Sequence, residues 1–333
     1  MNRTYDIMAA NMLQIGDQVD QFQIQEHIAQ GGTSNIYRAF DLINHREVAI
    51  KIPDAAAIGD PAQFERFQRE IEVSQQLDHP AVLSGLYTGQ YNRIPYLVME
   101  LIHGNSLRHL IETSAPLAVE QAMDLIRKIA EGMQYCHTQN VIHRDLKPEN
   151  ILISEDGQPV IMDFGLALVK SSRRVTYSNL SVTMGTPDYM APEQVEGQRG
   201  DARTDIYSLG IIFFELLAGY PPFKGVNNLA VMAQRLNYDA PRLDEIRPEV
   251  SPQVAAIVAR CLCRNPNDRY DDMQQLIDAL DHPETADTAI LNHLKISGSK
   301  PKWFRSTTVK SILVSLALFI LIIVIAVVLQ SLK

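Results

Sequence analysis

The chain has 333 residues, 46% of them hydrophobic, with 30 Lys and Arg against 39 Asp and Glu and a formal net charge of −9. That length can bury one large core or two modest ones, and the acidic balance argues against a general nucleic-acid binder, which needs a basic face. Cys136, Cys261 and Cys263 are too few for a disulfide framework and lack metal-ligand spacing, and the nine His include no HExxH pair.

Residues 1–17 read as an N-terminal extension without the apolar stretch of a signal peptide, so the bulk of the chain is expected in the cytoplasm. Short apolar runs at Phe22–Ile28, Asn35–Phe40, Val48–Ile52 and Tyr96–Glu100 predict strands. One helix interrupts them, with Asp60 as its N-cap, Pro61 as its first residue, and Phe64, Phe67, Ile71 and Leu77 along one side. From about residue 117 the texture turns helical, at 117–138, 204–218, 227–236 and 252–263. A hairpin is embedded there, Ile151–Ile153 and Val160–Met162 about a Glu155-Asp156-Gly157 turn. The predicted fold class is α+β: a small β-rich lobe over residues 18–100, joined near 101–105 to a larger α-helical lobe that ends at about 280.

Charge is unevenly placed. Residues 288–333 hold six cations and no acid, whereas residues 1–287 carry −15. Residues 281–310 read as a polar, then basic, juxtamembrane linker, and residues 311–330 as a transmembrane helix. From Ile312 to Leu329 the only polar residue is Ser315, and as a helix this run is roughly 27 Å long, close to the hydrocarbon thickness of a bilayer. Lys300, Lys302, Arg305 and Lys310 precede it, which by the positive-inside rule keeps that flank cytoplasmic and leaves 331–333 as a short non-cytoplasmic tail. The expected location is the cell (inner) membrane, single-pass, with the lipid bilayer as a partner through the C-terminal helix. Homodimerisation is left open, the span having no GxxxG face.

The densest chemistry lies in His143-Arg144-Asp145-Leu146-Lys147-Pro148-Glu149-Asn150, followed after the hairpin by Asp163-Phe164-Gly165. A hairpin folds its two ends together, so Asn150 and Asp163 become neighbours and two oxygen ligands converge, as a phosphate-bound Mg²⁺ requires. Asp145 can sit beside them and accept a proton from a hydroxyl. These motifs resemble the catalytic loop and magnesium motif of eukaryotic-like (bacterial-type) serine/threonine protein kinases, and the resemblance extends over residues 18–280.

The resemblance implies a bilobal protein-kinase-like fold, Asp145, Lys147 and Asn150 as catalytic residues, and Asn150 and Asp163 as ligands of Mg²⁺, with Mn²⁺ as a substitute. Val48-Ala49-Ile50-Lys51 resembles the strand whose lysine holds the phosphates of ATP. Glu70 is its expected partner, rather than Glu72, although a pairing of Glu70 with Arg66 on its own helix is open. The glycine-rich loop is the variant Ala29-Gln30-Gly31-Gly32-Thr33-Ser34-Asn35-Ile36, with Ala29 and Ser34 where the family has glycines. Ile28, Ala29, Gly31, Gly32, Ser34, Ile36 and Ala49 would line the nucleotide. Met99, Glu100 and Ile102 resemble the hinge, Met99 as gatekeeper and the other two through their backbones.

Gly185-Thr186-Pro187-Asp188-Tyr189-Met190-Ala191-Pro192-Glu193 resembles the loop that faces the protein substrate, and Lys147 with Thr186 the serine/threonine rather than the tyrosine pattern. Asp205, Glu193 and Arg269 are expected to be structural. Arg144 before the catalytic aspartate implies control by phosphorylation, with Ser178, Ser181 and Thr183 as candidate sites. The implied function is ATP-dependent phosphorylation of protein Ser/Thr hydroxyls by a membrane-tethered, autophosphorylating enzyme. The alternative is an inactive pseudokinase serving as a membrane-anchored scaffold.

Overall fold

The computed structural model describes residues 13–31, 33–169 and 187–294. Gly32, the candidate phosphosites Ser178, Ser181 and Thr183, and the predicted span 311–330 lie outside the described residues. Among those described, no helix is long and apolar enough to cross a membrane.

The β-rich lobe is built from strands β1 (Gln18–Val19), β2 (Phe22–Gln30), β3 (Ser34–Asp41), β4 (Arg46–Pro53), β5 (Gly85–Tyr91) and β6 (Ile94–Glu100). They form one antiparallel sheet in the order β1-β2-β3-β4-β6-β5. Tyr37, Val48, Ile50 and Tyr96 are buried in this lobe's core with Phe22 and Ile24. Helix α1 (Ala55–Gly59) follows β4, and α2 (Pro61–Ser74) follows α1. The Asp60 side chain accepts from Ala62 N and Pro61 opens α2, the predicted start. Both α1 and β5 were absent from the sequence reading.

The helical lobe opens with β7 (Gly104–Ser106), α3 (Leu107–Ser114), α4 (Val119–Thr138) and β8 (Val141–Ile142). The hairpin is β9 (Ile151–Ser154) and β10 (Pro159–Ile161), with Ile151 opposite Ile161 and Gly157 turning at φ 80°. β7 pairs along β9, and Gly104, at φ 156°, lies so close that a Cβ there would be 2.0 Å from Ile153 O. β11 (Leu168–Val169) pairs with β8. Next come α5 (Pro192–Val195), α6 (Ala202–Ala218), α7 (Asn228–Asn237), α8 (Leu243–Ile246), α9 (Pro252–Cys261) and α10 (Met273–Asp281). Helix α6 is buried without a break from Thr204 to Leu217, its polar Thr204, Asp205, Ser208 and Glu215 buried with the apolar residues. Gly210 lets α9 approach: a Cβ there would sit 2.6 Å from Cys261 Cβ. Residues 283–292, within the stretch expected as linker, make two 3₁₀ turns, and Leu291 is buried in the helical core. A smaller apolar cluster joins the lobes, with Ala49, Leu97 and Met99 from one side, Leu83 from the segment between α2 and β5, and Val160 from the hairpin.

Candidate active site

Sheet register decides what the upper lobe presents to the cleft. Paired residues share a face, and Ile36 is opposite Lys51, Lys51 opposite Leu97, and Ala49 opposite Met99. Ile36, Ala49, Lys51 and Met99 therefore point the same way, and Ile36, Ala49 and Met99 meet Ile102 and Met162 in the inter-lobe cluster. Glu100 ends β6 with its side chain exposed. The β2–β3 connection is tight, Gly31 N donating to Ser34 O at 2.8 Å, with Ser34 buried and Ile28 and Ala29 exposed at the strand end.

Lys51 reaches across to α2, its Nζ 2.5 Å from Glu70 Oε1 and 3.9 Å from Asp163 Oδ1. Glu72 is exposed and takes no part in this pair. Burial pulls the Lys51 ammonium down, but the charges of Asp163 and Glu70 outweigh it and hold it above its ordinary value, so it stays charged. Burial pushes the Glu70 carboxyl up to about 7, against the pull of Lys51 and with the charge of Asp163 adding to the rise. Asp163 itself is held below the carboxylate range, chiefly by Lys51. Its side chain is 43% exposed, open enough to receive a ligand.

The catalytic loop is held from below. Asp205, buried at the start of α6, accepts from His143 N at 2.9 Å and Arg144 N at 2.8 Å, and its Oδ2 is 2.8 Å from His137 Nε2. These bonds offset a strained backbone, Arg144 standing at φ 68° and Asp163 at φ 66°. Lys147 Nζ donates to Asp145 Oδ2 at 2.7 Å, and Asn150 Nδ2 donates to the Asp145 carbonyl at 2.9 Å and to Oδ2 at 3.2 Å. The hairpin closes as predicted, Met162 N donating to Asn150 O at 2.9 Å. His143 spans both motifs, with Nε2 3.1 Å from Met162 O and its ring 4.9 Å from that of Phe164.

The donor set fits a hard divalent cation. Asp163 is anionic, and the Asn150 amide spends its nitrogen on Asp145, which leaves its carbonyl oxygen for a metal. The family model described as the protein kinase domain matches residues 22–283. The chain belongs to this family. The kinase domain is 39% identical over 252 residues to serine/threonine-protein kinase PknL of Mycobacterium bovis, covering 76% of this chain and 63% of that protein. It is 34% identical over 261 residues to serine/threonine-protein kinase PknB of Mycolicibacterium smegmatis, covering 77% of this chain and 42% of that one. The chain thus spans less than two thirds of the length of these relatives, and the similarity supports a bacterial-type serine/threonine kinase family. The solved kinase domain of Mycobacterium tuberculosis PknI superposes with a TM-score of 0.64 at 23% identity, over 82% of this chain and 99% of that one, a likeness of fold. Members of the family use ATP and a divalent metal.

Two further clusters brace the kinase domain, and sequence reading assigned neither. Arg108 donates through Nε to Glu149 and through Nη1 to Glu215, each at 2.9 Å, and through Nη2 to the Tyr189 hydroxyl. Arg235, from α7, donates to the carbonyls of Asp188 and Met190. Nothing in a sequence marks an arginine as internal, since the type is mostly exposed.

Proposed function

We propose that the chain is an ATP-dependent serine/threonine protein kinase, tethered to the inner membrane by residues 311–330 with its catalytic domain in the cytoplasm. The observation that carries the reading is the convergence on one cleft of Lys51 braced by Glu70, Asp145 held by Lys147 and Asn150, and an anionic Asp163 beside Lys51. Asp145 orients a Ser or Thr hydroxyl and takes its proton as that oxygen bonds to the γ-phosphorus and the bond to the nucleoside diphosphate breaks. Lys51 and Lys147 offset the charge gathered on the phosphoryl oxygens. Asn150 and Asp163 would hold Mg²⁺, which supplies charge neutralisation on the phosphates when bound. Phosphate on Ser178, Ser181 or Thr183, added by the enzyme itself, would pair with Arg144.

The scaffold alternative has no observation in its favour, because Lys51, Asp145 and Asp163 all stand with the partners that chemistry needs. The tether rests on the apolar run and its basic flank. Full-length chain in detergent, incubated with labelled ATP, Mg²⁺ and casein beside an Asp145→Asn variant, tests the enzyme. Transfer to Ser or Thr by the wild type alone supports it; no transfer to casein or to itself sinks it. Membrane flotation of the chain with and without residues 311–330 tests the tether, and equal flotation would remove it.

A further inference from the structure

Arg235 on α7 is 0% exposed, yet it lies outside the chemistry proposed above. Burying a guanidinium is costly unless its donors are used, and two of them are spent on main chain. Nη1 donates to Met190 O at 2.8 Å and Nη2 to Asp188 O at 2.6 Å. The guanidinium carbon lies 5.7 Å from the centre of the Phe223 ring, which closes one side. The carbonyl between those two, Tyr189 O, accepts from Ser208 Oγ on α6 at 2.8 Å. Three successive carbonyls are therefore fixed by side chains from two helices.

The fixed segment connects onward to the reacting centre. Ala191 N donates to Gln194 Oε1 at 2.9 Å, and Gln194 Nε2 donates to Arg144 O at 2.8 Å, one residue before Asp145. Residues 188–191 and the loop that carries Asp145 are thus tied to one another through α5.

We propose that Arg235 is a positioning residue for the protein acceptor, holding residues 188–190 in the conformation against which the acceptor docks; the inference rests on the kinase reading. Its planar fork matters as much as its charge, because it fixes two donors in set directions, whereas an ammonium's three donors turn on a flexible stem.

The test compares full-length wild type, Arg235→Lys and Arg235→Met by initial rates with casein and ATP varied in turn, together with ATP hydrolysis in the absence of acceptor. Loss of two charge-assisted bonds should raise the casein KM of Arg235→Met by about tenfold or more, with the ATP KM and acceptor-free hydrolysis within about twofold of wild type. Arg235→Lys should fall between. An unchanged casein KM, or ATP parameters that deteriorate in step with it, overturns the assignment. Hydrogen exchange gives a readout that needs no turnover. In Arg235→Met the amides of 188–191 should exchange faster while those of α2 and β4 keep wild-type protection; equal exchange at 188–191 overturns the assignment. A wild type that exchanges as expected but transfers no phosphate overturns the kinase reading alone.

Discussion

Arg269 and Glu193 meet in a two-pronged ion pair, Nη1 to Oε1 at 2.8 Å and Nη2 to Oε2 at 2.7 Å, with the arginine side chain 0% exposed. The remaining guanidinium donors are also used, Nε donating to Cys263 O and Nη1 to Arg203 O, both at 2.8 Å, while Thr204 Oγ1 donates to Glu193 Oε1. The pair ties α5 to the segment between α9 and α10, distant in sequence. Because both charges are buried, they are worth most as a unit and cost most when separated. Glu193→Gln should lower the unfolding free energy of the chain by about 3–5 kcal/mol in urea titrations, since Arg269 would keep its charge and lose its counterion. A loss below about 1 kcal/mol would mean that water reaches this pair.

Glu70 makes a different prediction, one about pH. Its carboxyl titrates at about 7 in the folded chain and near 4.3 when unfolded. Between those values the folded state binds more protons than the unfolded state, so stability falls as pH rises. The contribution is complete below about pH 4.3 and lost as pH climbs through about 7. Glu70→Gln removes the titrating group. From pH 5 to 7, wild-type stability should therefore decline relative to this variant, by no more than about 1.4 kcal/mol per pH unit. Parallel curves for the two proteins in urea titrations at each pH would return Glu70 to an ordinary carboxylate.

Asp205 holds the catalytic loop from a fully buried position. One carboxylate accepts from two consecutive backbone N–H groups and faces His137 as well. An amide at this position has one oxygen and can replace only part of that set. In Asp205→Asn the left-handed turn at Arg144 loses support, and Asp145 shifts from its place. A misplacement of about 1 Å costs on the order of 100-fold in rate, so kcat should fall by about that factor while the ATP KM, to which the Lys51–Glu70 pair of the other lobe contributes, changes less. A fall in ATP affinity equal to the fall in kcat would show instead that the whole cleft had come apart.

What could be foreseen from the sequence followed how local the signal was. The Ile151–Ile161 hairpin and α6 announce themselves, one by a turn glycine between apolar runs and the other by a long helical pattern that includes the apolar run Leu209–Phe214. Among the motif residues, Lys51 lies beside Asp163 and Asn150 bonds Asp145. β5 was missed because GLYTGQY has two glycines and an exposed face, so neither apolar alternation nor propensity marks it. Its strand character comes from pairing with β6, a tertiary cause. Asp205 was read as structural, and its grip on the catalytic loop depends on sequence separations of 61 and 62 residues that only folding closes. Arg108 and Arg235 were missed because an internal arginine and a surface one look alike before the fold is known.

Arg108 shows how such a residue can be tested for coupling. It bridges Glu149 in the catalytic loop, Tyr189 just before α5 and Glu215 on α6, the last of these buried. Burial first, and then the Glu215 charge, push the Tyr189 hydroxyl up, so it stays protonated and donates to Glu215 Oε2. Arg108→Met leaves that buried carboxylate with the tyrosine and no cation. The loss should be about 2–3 kcal/mol, less than for Glu193→Gln because the Arg108 side chain is 23% exposed and its bond to Glu149 is at the surface. Replacing the carboxylate too should recover part of it. The Arg108→Met/Glu215→Gln double variant is expected to be at least about 1 kcal/mol more stable than the sum of the single losses predicts, as interaction energies between contacting residues run. If the losses simply add, the ion pair is incidental, and Arg108 supports this region through Tyr189 alone.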